Sequence, residues 1–280
     1  MSRKINSNLL KKNKLNQWSY NYRITTKEEI SFFLISNYVI NNVLQTLFIK
    51  HQLMLVSCKF YQTNSLIHIY IAYLNIKTKS KKTRTKIETS LFINKVVNLL
   101  NNYTKNKLNF YIIIKNIHKY FIQLKLFYKY NLIKKRLYAK IKKYGNKYNI
   151  LETLLQIFFV IITKSNSAKL LANYISHILK FKMYKKDHLK LLKLFKTIIQ
   201  LILKTKISIV AGIKIILSGR LNGFSRSRTR YLQFGMMPLN TFNVNINYAS
   251  RTAYTINGTL GVKVWIFEKV LSKIKNKNDF

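Results

Sequence analysis

The sequence predicts an α+β fold whose C-terminal part is a two-layer α/β domain, two helices packed on a mainly antiparallel sheet. Apolar spacing carries this reading. Leu170, Leu171, Tyr174, Ile175, Ile178 and Leu179 recur at the helical period, and a second stretch sets Leu189, Leu192, Phe195, Ile199 and Ile202 inward with Lys190, Lys193 and Lys196 outward. The final third alternates instead: Ile213, Ile215 and Leu217, then Phe242, Val244, Ile246 and Tyr248 between Asn243, Asn245 and Asn247, then Val262, Val264 and Ile266. Helices followed by alternating strands fit a layer of helices on one face of an antiparallel sheet.

Earlier elements follow in order. Acidic Glu28 and Glu29 after Thr26 and Lys27 suit the positive end of a helix dipole, and the segment from Ser36 reads as helical. Leu53 to Phe60 and Leu66 to Leu74 read as a strand pair, since Ile67, Ile69 and Ile71 alternate with His68 and Tyr70. Leu91, Val96, Leu99 and Leu100 suit one helical face, and Phe110 to Ile114 a further strand, giving an α-β-β-α-β order. Ser165-Asn166-Ser167 supplies N-cap residues for the helix that follows. Asn257-Gly258, with Gly261 beyond it, predicts a turn joining the last two strands as a hairpin.

Two basic segments stand between these elements. Lys77 to Lys86 carries six basic residues and no apolar anchor, so it is either a solvated loop or an arm that contacts phosphates. Ile117 to Tyr148 interleaves aromatics with cations, among them Tyr120, Phe121, Phe127, Tyr128, Tyr130, Lys134, Lys135 and Arg136. Such a pattern stacks on bases, or forms an amphipathic helix whose lysine stems cover its own apolar surface. The expected division is an N-terminal extension (1–37), a first domain (38–117), a basic aromatic insertion or linker (118–150) and the C-terminal domain (151–280).

Charge limits function more than length does. The 280 residues carry 51 Lys and Arg against 7 Asp and Glu, a net charge of +44, and no acidic residue lies between Asp187 and Glu268. A compact state so charged repels itself unless a polyanion surrounds it, and nucleic acid is the natural partner. Leu154 to Ile162, flanked by Glu152 and Lys164, falls short of the about 20 residues a membrane span needs and reads as a core helix or strand. Cys58 is the one cysteine, five histidines are scattered, and the carboxylates are too sparse to pair, so no disulfide framework, metal site, cofactor, small-molecule substrate or catalytic residue is expected.

The palette favours Lys over Arg and is rich in Asn, Ile, Tyr, Phe and Leu, as AT-rich codons supply, which points to an organelle-encoded chain. The N-terminus is basic but lacks the Arg and Ala of a transit peptide, so no cleaved presequence is expected. Ser218 to Thr241, SGRLNGFSRSRTRYLQFGMMPLNT, breaks that palette by gathering Arg220, Arg226, Arg228 and Arg230 with Gly219, Gly223, Gly235 and the chain's one proline, Pro238.

Ser218-Gly219-Arg220-Leu221, Gly223, Arg228-Thr229, Gly235, Pro238-Leu239, Thr241, Tyr248 and the run Gly261-Val262-Lys263-Val264-Trp265-Ile266-Phe267 together resemble the C-terminal domain of the small-subunit ribosomal protein S-three family. Ala168 to Ala172 resembles the family's AKLVA and Met183 to Lys186 its MFRR, so the resemblance runs from about Asn166 to Lys269. It implies a non-enzymatic place in the head of the small ribosomal subunit, bound to small-subunit rRNA beside neighbouring head proteins and bordering the channel by which mRNA enters. An organellar ribosome is expected, mitochondrial ahead of plastid.

The residues expected on rRNA are Arg220, Arg226, Arg228, Arg230, Arg251, Lys81, Lys82 and Arg84. Arg226, Arg228 and Arg230 are expected on the solvent side of a short helix, with Arg226 and Arg230 one turn apart on a shared face. At these two positions bacterial members of the family have apolar and acidic residues. Lys185 and Lys186 match the family's basic pair at the mRNA channel, which helps separate mRNA structure without nucleotide hydrolysis; Lys190 is expected with them, and the alternative for the pair is an exposed helix end. Lysine keeps the charge of the family's arginines without their bidentate fork.

The resemblance further implies a degenerate type II KH-like domain over 38–117. A KH domain grips the nucleic-acid backbone through a GxxG loop, yet no glycine precedes Gly145, and Lys77 to Lys86 stands in the loop's place. An organelle-encoded maturase or homing endonuclease is the alternative, and such an enzyme needs metal-binding carboxylates. None occurs from His188 to Phe267. A third reading is a free mRNA-binding or secretion-linked protein that does not reside on the ribosome.

Overall fold

The structure, a computed structural model, describes residues 20–22, 27–51, 53–62, 66–75, 89–104, 109–116, parts of 153–161, 168–181, 188–203, 210–242 and 244–268. These divide between two compact units, taken in turn. Lys77 to Lys86, all of Ile117 to Tyr148, Ser165 to Ser167 and Lys185-Lys186 lie outside the described residues.

The first unit is β1 (Tyr20–Tyr22), α1 (Lys27–Lys50), β2 (Leu53–Gln62), β3 (Leu66–Asn75), α2 (Thr89–Thr104) and β4 (Asn109–Asn116). Its sheet runs β1-β2-β3-β4. β2 and β3 are antiparallel, with a register shift between Leu55 and Ser57, while β1 lies parallel to β2 and β4 parallel to β3. The α-β-β-α-β order is present, with β1 added in front. α1 runs without a break through the division expected at 37/38, because Ser36 and Asn37, polar as they are, are buried inside the helix.

Ile40, Leu44 and Phe48, each one turn apart on α1, join Val96 and Leu100 of α2 over Phe60, Ile67, Ile69 and Ile71 of the sheet. Leu99, expected on the same face, is 45% exposed. Val96 and Leu100 are one turn apart and take the inward stripe, which leaves Leu99 on the flank.

The second unit contains helical residues within 153–161, of which Leu154, Ile157, Phe158, Val160 and Ile161 are buried. The apolar run is therefore helical core where it is described. α3 (Ala168–Phe181) and α4 (His188–Leu203) precede β5 (Val210–Gly219), β6 (Arg228–Gly235), β7 (Ile246–Thr255) and β8 (Gly258–Glu268). All neighbours in the order β6-β5-β8-β7 are antiparallel. α3 packs on β7 and β8 and α4 on β5 and β6, so the helices lie along one face. Among the described residues no helix is long and apolar enough to cross a membrane.

Ile213, Ile215 and Leu217 of β5 pair with Ile266, Val264 and Val262 of β8, and all six are fully buried beneath the helices. α3 buries Leu170, Leu171, Tyr174, Ile175, Ile178 and Leu179 as expected. The Tyr174 hydroxyl shares a hydrogen bond with Thr153 Oγ1, and burial pushes its pKa up. In α4 the inward face is Leu191, Leu192, Leu194, Phe195, Ile198 and Ile199, with Lys193 and Lys196 exposed. Leu189, expected inward, is 37% exposed, because the preceding residue, His188, takes the buried position at the helix start.

β7 begins at Ile246, four residues after the expected start at Phe242, which is 68% exposed. Ile246 pairs with Phe267 and β8 ends at Glu268, so the described ladder stops short of Phe242. The buried Glu268 carboxylate closes this end by accepting from Asn245 Nδ2 at 3.2 Å and Asn247 Nδ2 at 2.6 Å. At the other end a two-residue loop, Ile256-Asn257, joins the hairpin with Thr255 opposite Gly258.

Two glycines show what the sheet demands. Gly235 (φ 74) stands opposite Gly212, where a Cβ would run into the Ala211 carbonyl oxygen, whereas Gly258 (φ 114) has open space around its missing Cβ. Gly258→Ala thus adds only backbone strain, about 1–2 kcal/mol, and Gly235→Ala adds the same strain plus the separation of two strands. Urea unfolding of the two variants is expected to find Gly235→Ala the more destabilised; equal losses would show that the β5–β6 approach is not tight.

Candidate nucleic-acid interface

The arginine-rich stretch contains a strand and not the expected helix. Only Leu221–Gly223 makes a single 3₁₀ turn, ended by Asn222 at φ 57 and Gly223 at φ 76; Arg226 lies in the bend that follows, and Arg228 and Arg230 are in β6. Backbone pairing with β5 across Gly212 to Gly219 claims the N–H and C=O groups that a helix would have used. Arg226 and Arg230 therefore do not share a helical face. Arg228 and Arg230, two residues apart, share one face of a strand.

The turn before β6 is anchored to the start of α4 by a reciprocal pair. The His188 backbone N–H donates to Asn222 Oδ1 at 3.1 Å, and the Asn222 N–H donates to His188 Nδ1 at 3.0 Å. One of the unpaired N–H groups of the helix start is thus satisfied by a residue 34 positions away. Phe224, just beyond, organises two cations: its ring lies 3.9 Å beneath the Arg228 guanidinium, and its carbonyl accepts from Arg220 Nε at 3.2 Å. A guanidinium stacked on a ring keeps its in-plane N–H donors for a planar anion. Arg220, Arg226, Arg228 and Arg230 are all exposed.

Arg251 belongs to the opposite edge strand, yet register brings it into line with Arg230. Arg230 pairs with Leu217, Leu217 with Val262 and Val262 with Arg251, one row across four strands. Three strand spacings separate the two arginines, roughly 14 Å. The row is apolar in the middle, where the helices cover it, and cationic at both rims. Lys81, Lys82, Arg84, Lys185 and Lys186 lie outside the described residues; Lys190 falls in the first turn of α4.

The opposite face of this sheet carries basic residues that are not among those expected on rRNA. Lys214 and Lys263 alternate with the buried positions of β5 and β8, and Lys214 Nζ stands 5.9 Å from the Trp265 ring centroid, with Tyr248 beside that ring at 4.9 Å. The alternation of Ile213, Ile215, Val262 and Val264 contains the signal, since each lysine is one residue from a buried neighbour. Exposed guanidinium and ammonium groups on a rigid sheet suit phosphate oxygens, and the planar guanidinium forks favour bidentate contact.

Asn222→Ala removes the acceptor for the α4 N–H and leaves a Cβ at a left-handed position without a local amide, an expected cost of about 2 kcal/mol. Asn222→Gly fits that φ and loses only the acceptor, about 1 kcal/mol. Urea denaturation of the two variants distinguishes these losses, and no loss in either would show that the reciprocal pair holds nothing.

Comparison with known proteins gives this geometry a context. Residues 187–266 match the family model described as Ribosomal protein S3, C-terminal domain. Over 59 residues the chain is 56% identical to small ribosomal subunit protein uS3 of Rippkaea orientalis, covering 21% of this chain and 24% of that protein. It is 46% identical over 80 residues to small ribosomal subunit protein uS3c of Chara vulgaris (28% and 35%), and 49% identical over 65 residues to uS3c of Trieres chinensis (23% and 30%). The chain spans about a quarter to a third of the length of these curated relatives. The unit made by α4 and β5 to β8, with its arginine-bearing edge, is thus similar to the C-terminal domain of ribosomal protein S3.

Proposed function

We propose that the chain is a structural, non-enzymatic component of a small ribosomal subunit, held on small-subunit rRNA by the basic rim of its C-terminal unit. The observation that carries this reading is the match of residues 187–266 to the ribosomal S3 C-terminal domain, over the part that holds Arg220, Arg226, Arg228, Arg230 and Arg251. No acid interrupts those cations before Glu268, whose carboxylate is buried and engaged by two asparagines. Phosphates are the anions such a surface attracts.

The finer reading puts the chain in the head of the subunit, beside other head proteins and the channel by which mRNA enters, with Lys185, Lys186 and Lys190 toward that channel and Lys81, Lys82 and Arg84 on rRNA. Support for Lys185 and Lys186 comes from sequence resemblance; both precede the first matched residue, 187. A KH-like role for the first unit draws on its α-β-β-α-β order, without a glycine loop to grip a backbone. The relatives named above are cyanobacterial uS3 and organellar uS3c proteins, so the organelle reading moves from the mitochondrion toward a plastid-type ribosome.

Arg226→Ala, Arg228→Ala and Arg230→Ala together are expected to release the chain from small subunits at lower salt. The log–log salt slope of rRNA binding should fall by about 0.9 for each duplex phosphate that is no longer neutralised. Lysine at the same positions should keep most of that slope while weakening affinity, since charge survives and the fork does not. Sedimentation with small subunits across a salt series measures both, and retention of the triple alanine variant at elevated salt would remove the phosphate role. Lys185→Ala with Lys186→Ala is expected to leave assembly intact and slow translation of structured messages; unchanged translation of them would refute a role at the channel.

A further inference from the structure

The first unit has a second sheet face that the ribosomal reading does not use; Met54 and Leu74, paired at one end of it, are buried, and its exposed residues lie toward the other end. α1 and α2 bury the side carrying Phe60, Ile67, Ile69 and Ile71. On the other side, register lines up Tyr61, His68 and Tyr111 in one row across β2, β3 and β4, with Lys59 and Tyr70 in the next row and Lys115 of β4 in the row beyond. Tyr61, Tyr70 and Tyr111 are exposed, Tyr111 to 56%. Nothing in sequence spacing links these residues; pairing alone assembles them.

The rings meet edge to face. His68 and Tyr111 have centroids 5.5 Å apart at 69°, and Tyr61 and Tyr70 5.4 Å apart at 86°. An edge-to-face pair uses the face of only one ring, so the other keeps both faces for a further partner. None of the four strands contains an acidic residue, and the platform carries Lys59 and Lys115. Rings with polar tips beside cations match unstacked bases beside phosphates; protein-docking faces also gather aromatics but are depleted of lysine, and here Lys59 and Lys115 stand among the rings, with Leu66 exposed and Ile113 half-buried on the same face.

We propose that this face is a stacking platform for single-stranded RNA, with bases on Tyr61, Tyr70 and Tyr111 and phosphates on Lys59 and Lys115. It rests on the RNA-binding part of the ribosomal reading and supplies what the glycine-free first unit lacks in a GxxG loop. Recognition is by ring face and charge, and so it tolerates sequence.

Anisotropy of the full chain with a short oligouridylate, and with an RNA duplex of equal length, tests this over a salt series. Alanine at Tyr61, Tyr70 or Tyr111 is expected to lower single-strand affinity about tenfold, with the salt slope and duplex binding unchanged because the cations on the phosphates stay in place. Tyr111→Leu, which keeps apolar cover without a ring, should weaken binding as much as Tyr111→Ala, and Tyr111→Phe should recover it. Lys115→Ala should instead lower the single-strand salt slope by about 0.7. Thermal melting separates a missing ring from a damaged fold, since the outward phenylalanine and leucine variants leave the core as it is.

Unchanged single-strand binding with alanine at all three tyrosines would overturn the proposal, as would equal weakening on single and double strands. A triple variant that kept RNA affinity but released a neighbouring ribosomal protein would show a protein-docking face and overturn it too. The ribosomal reading fails separately: a chain whose rings hold single strands but which does not sediment with small subunits refutes that reading and leaves the platform standing.

Discussion

Fifty-one cations against seven acids cannot be neutralised within one chain, so nearly every charge must sit where water or an external anion reaches it. Both units solve this in the same way. Each covers one face of a four-stranded sheet with helices and leaves charge to the other face and the rims. Ile67, Ile69 and Ile71 in one unit, and Ile213, Ile215 and Leu217 in the other, are almost wholly shielded from water, while their alternate neighbours include Tyr70 and Lys214. The burial of one face is what makes a cationic or aromatic surface of the other.

The C-terminal unit shows how finely this partition is drawn. Along a single row, Leu217 and Val262 lie under the helices while Arg230 and Arg251 emerge on either side. Phe224 then holds Arg228 and Arg220 near one another despite like charge, one by its ring and the other by its carbonyl. The His188–Asn222 exchange fixes the turn that presents Phe224, so the start of a helix and the arginine edge are mechanically one structure.

The buried faces are legible in the sequence because burial imposes a period. Alternation at 213, 215 and 217 and at 262, 264 and 266, and helical spacing from Leu170 to Leu179, have direct counterparts in the fold. Positions without that constraint mislead. β6 is an edge strand with Arg228, Thr229, Arg230 and Tyr231 all exposed, so no apolar alternation announces it, and arginines at 226, 228 and 230 suit a helix equally well. Leu99 and Leu189 point inward on hydrophobicity alone, although Leu100 and His188 hold the buried places beside them. The tyrosine face has no signature in the sequence, because Tyr61, His68 and Tyr111 become neighbours only through strand register.

The two rims of the C-terminal sheet have a further consequence for the chain before it reaches any RNA. Among the described residues β6 and β7 end the sheet, and backbone groups left at a sheet edge invite stacking of copies into aggregates. Arg230 on one edge and Arg251 on the other, both on the helix-covered side, would meet like charge in any edge-to-edge approach. Like charge at both edges opposes such pairing, and a polyanion that neutralised these guanidinium groups would remove the opposition.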